Sequence, residues 1–287
     1  MLHCVCVAMG GGGVAFGALA GGPWGNSVVS YEPGSGVGAA FTNPASALGE
    51  PTRFTGVGSF PGAVTPFNPP FLGSELVSIG NGGHLVVQFE SPVTNDPFNP
   101  FGVDLIVFGN TGYIDVGFPN GVAGGLFGSG GGLIELSADG VNWFSVPGAA
   151  ADSEFPTLGY ADLTSPYATS PGLVPTNFTC PVSPALVAAG LNFAQIVAAY
   201  DGSGGGTGLD IGLTGLSAVS FVRIIAPAGF TGTIEIDGFA DVTAIPAAPT
   251  LLAVGLAALA GVGPRRRGDN NRAEEPQTNR LRAREIA

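Results

Sequence analysis

Short apolar runs separated by turn residues mark most of the chain. HLVVQFE (84–90), VDLIVFG (103–109), GLIELSA (132–138), VSFVRIIA (219–226) and TIEIDGFADV (233–242) are the clearest. Val, Ile and Phe dominate these runs, and Gly, Pro, Asn and Asp bound them, which predicts strands. In the last run Ile234, Ile236 and Gly238 share one parity, and Glu235 and Asp237 share the other. That alternation predicts a sheet with one solvated face. SPALVAAG (183–190) predicts one helical turn or two, with Ser183 as N-cap and Pro184 at the first helical position. No amphipathic helix of ordinary length is expected. The fold class is therefore all-β, with a jelly-roll-type β-sandwich as the expected architecture.

Two segments break this pattern. The first 20 residues are apolar and small and end in Ala18-Leu19-Ala20, an A-x-A cleavage pattern, so 1–20 reads as a secretion signal. The stretch Ala247–Gly263 holds 17 residues without a charge and is followed by Arg265, Arg266 and Arg267. A helix of that length spans about 25 Å, the short end of a membrane span. Positive charge stays on the cytoplasmic side, so the preceding part would lie outside. The expected organisation is a signal at 1–20, an ectodomain at 21–245, a transmembrane or sorting helix at 246–264 and a basic tail at 265–287.

Charge sharpens that division. The chain has 287 residues and no lysine; its nine basic residues are arginines. Between 21 and 245 only Arg53 and Arg223 stand against 17 Asp and Glu, a formal −15, whereas 264–287 carries seven Arg and four acids, a formal +3. An ectodomain this acidic excludes a nucleic-acid partner, because phosphates demand cations. It suits cations or neutral ligands. Gly 49 and Pro 24 fit a turn-rich fold. Cys180 is the one cysteine beyond the first six residues, so no disulfide is available within the ectodomain.

The C-terminal pattern of Pro246, Pro249 and Thr250, a short Leu/Ala/Gly helix and the Arg265–Arg267 cluster resembles the PEP-CTERM sorting signals of Gram-negative bacteria, with Pro246-Ala247-Ala248-Pro249 standing where that family has Pro-Glu-Pro. The resemblance implies an exosortase-like sorting enzyme as a partner, association with extracellular polysaccharide, and display at the outer envelope after passage through the inner membrane. Ordered pieces of the ectodomain resemble a bacterial cell-surface β-sandwich family. They are ASALGEP (45–51), GVDLIVFGN (102–110), SADGVNWF (137–144), GLDIGL (208–213) and GTIEIDGFADV (232–242). The chain departs from that family at Gly109, where an acidic residue is usual, and at Leu209, where Phe is usual.

Candidate chemistry follows from what these motifs carry. Asp104, Asn110, Asp210, Asp237 and Asp241 are candidate ligands of a structural calcium ion, which takes oxygen donors. YDGSGGGTGLD (200–210) adds a backbone that can wrap an ion. The competing reading is that these acids form turns and solvated faces. Asp139-Gly140 predicts a tight hairpin turn. Trp143, after it, and Tyr113 are candidate ligand contacts, with core packing the competing reading for Trp143. PFNP occurs at 66–69 and 97–100 as extended loop, and Phe67, Phe71, Phe98 and Phe101 would make either a sugar platform or packing. No catalytic residue is assigned: His84 is the one histidine of the ectodomain, too few for a zinc site. The expected function is a non-catalytic, surface-anchored protein that interacts with extracellular polysaccharide or the cell envelope. The alternatives are a module that captures a carbohydrate or small nutrient, and a secreted glycoside-active hydrolase, which would need two carboxylates about 5–10 Å apart.

Overall fold

Alternation within the apolar runs places two sets of side chains on facing surfaces. The computed structural model of the protein describes residues 22–58 and 61–242. In chain order its elements are β1 (Ser27–Glu32), β2 (Phe54–Thr55), β3 (Gly62–Ala63), β4 (Val77–Ile79), β5 (His84–Thr94), β6 (Leu105–Gly109), β7 (Gly112–Asp115), β8 (Ala123–Phe127), β9 (Leu133–Ser137), β10 (Phe144–Ser145), α1 (Phe193–Tyr200), β11 (Thr207–Leu209), β12 (Ala218–Ile225) and β13 (Ile234–Asp241). One sheet has the order β1-β5-β12-β9-β10 and the other β11-β6-β13-β4, and every pairing within them is antiparallel. The fold is thus mainly β, as the periodicity predicts.

The two sheets share one core. Leu85, Val87 and Phe89 of β5, Val222 and Ile224 of β12, and Ile134 and Leu136 of β9 belong to the same buried cluster as Leu105, Val107, Ile234, Ile236 and Phe239 of the facing sheet. Each such side chain contributes about 1.5–3 kcal/mol when fully buried. The outer face of the five-stranded sheet is polar and half-buried: Arg223 of β12 pairs with Glu135 of β9.

The outer face of the four-stranded sheet is not solvated, which corrects the single-faced reading of 233–242. Ile106, Phe108 and Ala240 there pack against Phe178, whose ring centroid lies 5.2 Å from that of Phe108. Phe178 belongs to a long connection between β10 and β11 that carries α1. Arg53 fastens this connection. Its guanidinium lies 4.0 Å over the Phe178 ring and donates to the Gly159 carbonyl at 2.7 Å. A second aromatic cluster, Phe67, Tyr113, Phe193 and Tyr200, fills the space beneath α1.

Three local expectations change. SPALVAAG makes a turn, with the Leu186 N–H on the Ser183 carbonyl, and the helix comes next, at α1. Its start is a capping box: Asn192 accepts from the Gln195 N–H and Gln195 accepts from the Asn192 N–H. The Asp139-Gly140 turn is wider than a two-residue hairpin, since Leu136 pairs with Phe144. The Asp139 carboxylate holds it open by accepting from the Val141 and Asn142 N–H groups and the Asn142 amide. The glycines of 204–206 serve close packing: a Cβ on Gly204 would lie 2.0 Å from the Phe178 ring, and one on Gly206 2.4 Å from Ile106.

The signal at 1–20, the sorting helix at 246–264 and the basic tail at 265–287, with Pro246, Pro249, Thr250, Arg265, Arg266 and Arg267, lie outside the described residues. Among the described residues no helix is long and apolar enough to cross a membrane.

Candidate functional site

β6 and β13 lie side by side in the four-stranded sheet, and four of the five candidate calcium ligands sit on them or at their ends. Antiparallel pairing puts Asp241 opposite Leu105 and Ile236 opposite Gly109. At about 3.3 Å per residue, Asp104 and Asn110 are separated by about 20 Å, the length of β6. The five candidates therefore do not form one site. Among the described residues no group of three or more His, Cys, Asp or Glu side chains gathers as a metal centre.

The Asn110 end is closed by protein donors. Asp152, from the long connection, is 2 % exposed and accepts from four groups: the Asn110, Thr111 and Glu235 N–H groups and the Thr111 hydroxyl. Gly109 makes room for it, since a Cβ there would lie 2.4 Å from Asp152 Oδ1. Burial pushes the Asp152 carboxyl up to about 7, against the pull of its hydrogen bonds and with the Glu235 charge adding to the rise. Nearby, the ladder slips by one residue between Ile236 and Gly238, a bulge. Asp237 at this bulge is 2 % exposed and accepts from the Thr52 N–H at 2.8 Å and the Thr52 hydroxyl at 2.7 Å. Burial pushes Asp237 up to about 7 as well; the Thr52 bonds oppose this and the Glu75 charge adds to it.

The opposite end is less complete. The buried carboxylate of Asp104 accepts from the Asp96 N–H at 2.9 Å, the Asn99 amide at 2.9 Å and the Ile211 N–H at 3.0 Å. Asp241 stands beside it. Burial, and then the Asp104 charge, push the Asp241 carboxyl up to about 7. Asp210 instead caps the short helical turn at 211–214, accepting from the Gly212 N–H.

Trp143 and Tyr113 are far from equivalent. Trp143 is half-buried on the outer face of the five-stranded sheet, with the Arg223 guanidinium 4.1 Å over its ring, so it lies outside the main core. Tyr113 is 6 % exposed, its ring 6.0 Å from that of Phe67. Phe67 is buried there, whereas Phe98 is 86 % exposed, so the two PFNP segments do not build one aromatic platform.

Tyr113 does reach an open cleft of about 390 Å³. Its walls are Tyr113, Leu126 of β8, Phe155 and the turn at 184–189, and its one acid is Glu154. Glu154 has φ +54, a left-handed backbone that turns its side chain out of the connection just after Asp152. Its carboxyl takes no hydrogen bond among the described residues, and burial pushes it above the usual carboxylate range. Glu154 and Asp152 carried no motif in the sequence, and Asn99 stood in the second PFNP segment with no role assigned to it. No protein-family model matches the chain, and no curated protein is similar to it.

Proposed function

We propose that the chain is a non-catalytic surface protein whose β-sandwich, of jelly-roll type, presents the Glu154 cleft to a neutral sugar of an extracellular polysaccharide. The alternation of successive strands between the two sheets from β4 to β6 and again from β11 to β13 supports the jelly-roll reading. The cleft carries the function. It offers apolar and aromatic walls for the C–H face of a sugar ring, and one unpaired carboxylate for its hydroxyls. A formal −15 over 21–245 turns away polyanions and leaves neutral glycans. A hydrolase fits less well, since glycoside hydrolysis calls for two carboxylates and Glu154 is the single acid lining the cleft. Delivery by the 1–20 segment, and sorting or anchoring by 246–264 through an exosortase-like enzyme, complete this reading.

The test is a panel of neutral and charged polysaccharides offered to the whole chain. Saturable binding to one neutral class is expected, and Glu154→Gln weakens it about tenfold, the loss of a charge-assisted hydrogen bond. Equal binding by the variant, or no saturable binding to any member of the panel, overturns the proposal.

A further inference from the structure

On the reading of the Glu154 cleft as a glycan site, we propose that it recognises the acetamido group of an N-acetylated hexosamine. An acetamido group presents one N–H, one carbonyl and one methyl, and the cleft holds a counterpart to each. The acceptor is Glu154, the one acid of the lining, whose carboxyl takes no hydrogen bond from the described residues. The Asp152 anchor on one side, and on the other the Gly206 N–H on the Phe155 carbonyl at 2.7 Å, fix the backbone around it. The donor is Ala188, on the turn at 184–189. Ala188 is 8 % exposed, and its N–H has no acceptor among the described residues, whereas the Leu186, Gly190 and Leu191 N–H groups beside it all have one. The N–H groups of Val187 and Ala189 also lack one, but those residues are exposed to water. A main-chain N–H on a buried residue calls for a partner, and here the partner must come from outside the described chain.

The methyl has its counterpart in Leu126, Leu186 and Val187, which are aliphatic, while Tyr113 and Phe155 supply aromatic surface for the ring. The Tyr113 hydroxyl meets that of Tyr200, whose own proton goes to the Pro156 carbonyl at 2.9 Å. It is thus engaged in the interior, and Glu154 is left as the polar side chain that faces a ligand. Other ligands fit less well. A sugar with a hydroxyl in place of the acetamido group would set that hydroxyl against aliphatic walls, where it loses water without gaining a partner. A peptide brings a ladder of amides, and the cleft offers a single carboxylate and a single N–H on a buried residue. A volume of about 390 Å³ lies in the lower part of the range for small-ligand sites, which suits one sugar residue and its substituent.

The experiment is saturation-transfer NMR on the whole chain with the methyl glycosides of N-acetylglucosamine, N-acetylgalactosamine, glucose and galactose. At least one acetamido sugar should bind, with its acetamido methyl the most strongly saturated signal. The matched sugar without the acetamido group should bind at least about tenfold more weakly. Glu154→Gln should weaken binding of the acetamido sugar about tenfold, the loss of a charge-assisted hydrogen bond. Glu154 takes no hydrogen bond from the described residues, so this variant keeps the fold, as far-ultraviolet circular dichroism would verify. Equal binding of the matched sugars, or of the natural chain and the variant, overturns the acetamido assignment. Binding by none of the four overturns it too, and the polysaccharide panel then decides the glycan reading by itself. N-acetyl-alanine methylamide, offered as a fifth probe, should not bind. Binding as tight as that of the sugar would make the cleft a reader of peptide amides and overturn the hexosamine.

Discussion

The two ends of the β6–β13 pair solve the same problem differently. Both set buried carboxylates against a sheet that faces protein on both sides. At the Gly109 end, loops bring donors: Asp152 receives four and Asp237 two. At the Asp104 end, three donors serve Asp104, and Asp241 beside it receives none from the described residues. Backbone N–H groups can satisfy a buried acid from within the chain. A carboxyl left short of donors is pushed toward its protonated form, as Asp241 is. The contrast teaches that acidic residues in a β-sandwich are not interchangeable candidates for a metal. What separates them is how many protein donors already occupy their oxygens.

The largest effect should come from opening the closed end. Asp152→Ala strands the Asn110, Thr111 and Glu235 N–H groups in a buried position, and the expected loss is about 3–5 kcal/mol in denaturant unfolding. A loss below about 1 kcal/mol would mean that Asp152 does not hold this end together. The next effect is on pH dependence. Asp237 has a folded value of about 7, raised above its ordinary 3.8 by burial, with Glu75 the acid that faces it. A raised carboxyl favours the protonated folded state. Its contribution is full below about pH 4 and is lost as pH climbs through about 7, with a slope of up to about 1.4 kcal/mol per pH unit. Stability should therefore fall between about pH 4 and 7, with Asp152 and Asp241 sharing the fall, and Asp237→Asn should lessen it. An unchanged slope in the variant would assign the titration elsewhere.

The strands were legible in the sequence because each inward position of the sandwich repeats every second residue, and the runs at 84–90, 103–109 and 219–226 keep that register. The run at 233–242 kept it only to Ile236, because the bulge at Asp237 is set by Thr52, 185 residues away in sequence. The outer cover of β6 and β13 was hidden for a similar reason. Phe178 and Arg53 reach it from segments with no strand pattern. The helix α1 was missed although its Asn192 and Gln195 carry a capping signature, since eight residues are too few for a helical period to stand out. Of the site residues, Asp104 and Asp241 were visible in motifs. Asn99 was not, because the same PFNP tetrapeptide at 66–69 serves core packing through Phe67. Glu154 owes its role to a left-handed backbone that no spacing announces.

The smallest effect is the sharpest comparison, because each end has an asparagine with a buried, unpartnered carboxamide oxygen: Asn110 at one and Asn99 at the other. The two differ in what their amide nitrogens do. Asn99 donates to Asp104, whereas it is the main-chain N–H of Asn110 that meets Asp152. Asn110 Oδ1 faces Gly128 across open backbone, where a Cβ would stand 3.4 Å away. Asn110→Ala removes an unsatisfied acceptor and leaves the Asp152 bonds intact, so stability should change by less than about 1 kcal/mol. Asn99→Ala takes away a donor to the buried Asp104 carboxylate, and the expected loss is larger, about 1–3 kcal/mol in denaturant unfolding. If Asn110→Ala costs as much as Asn99→Ala, the Asn110 carboxamide carries a bond of its own, and the contrast between the two ends fails.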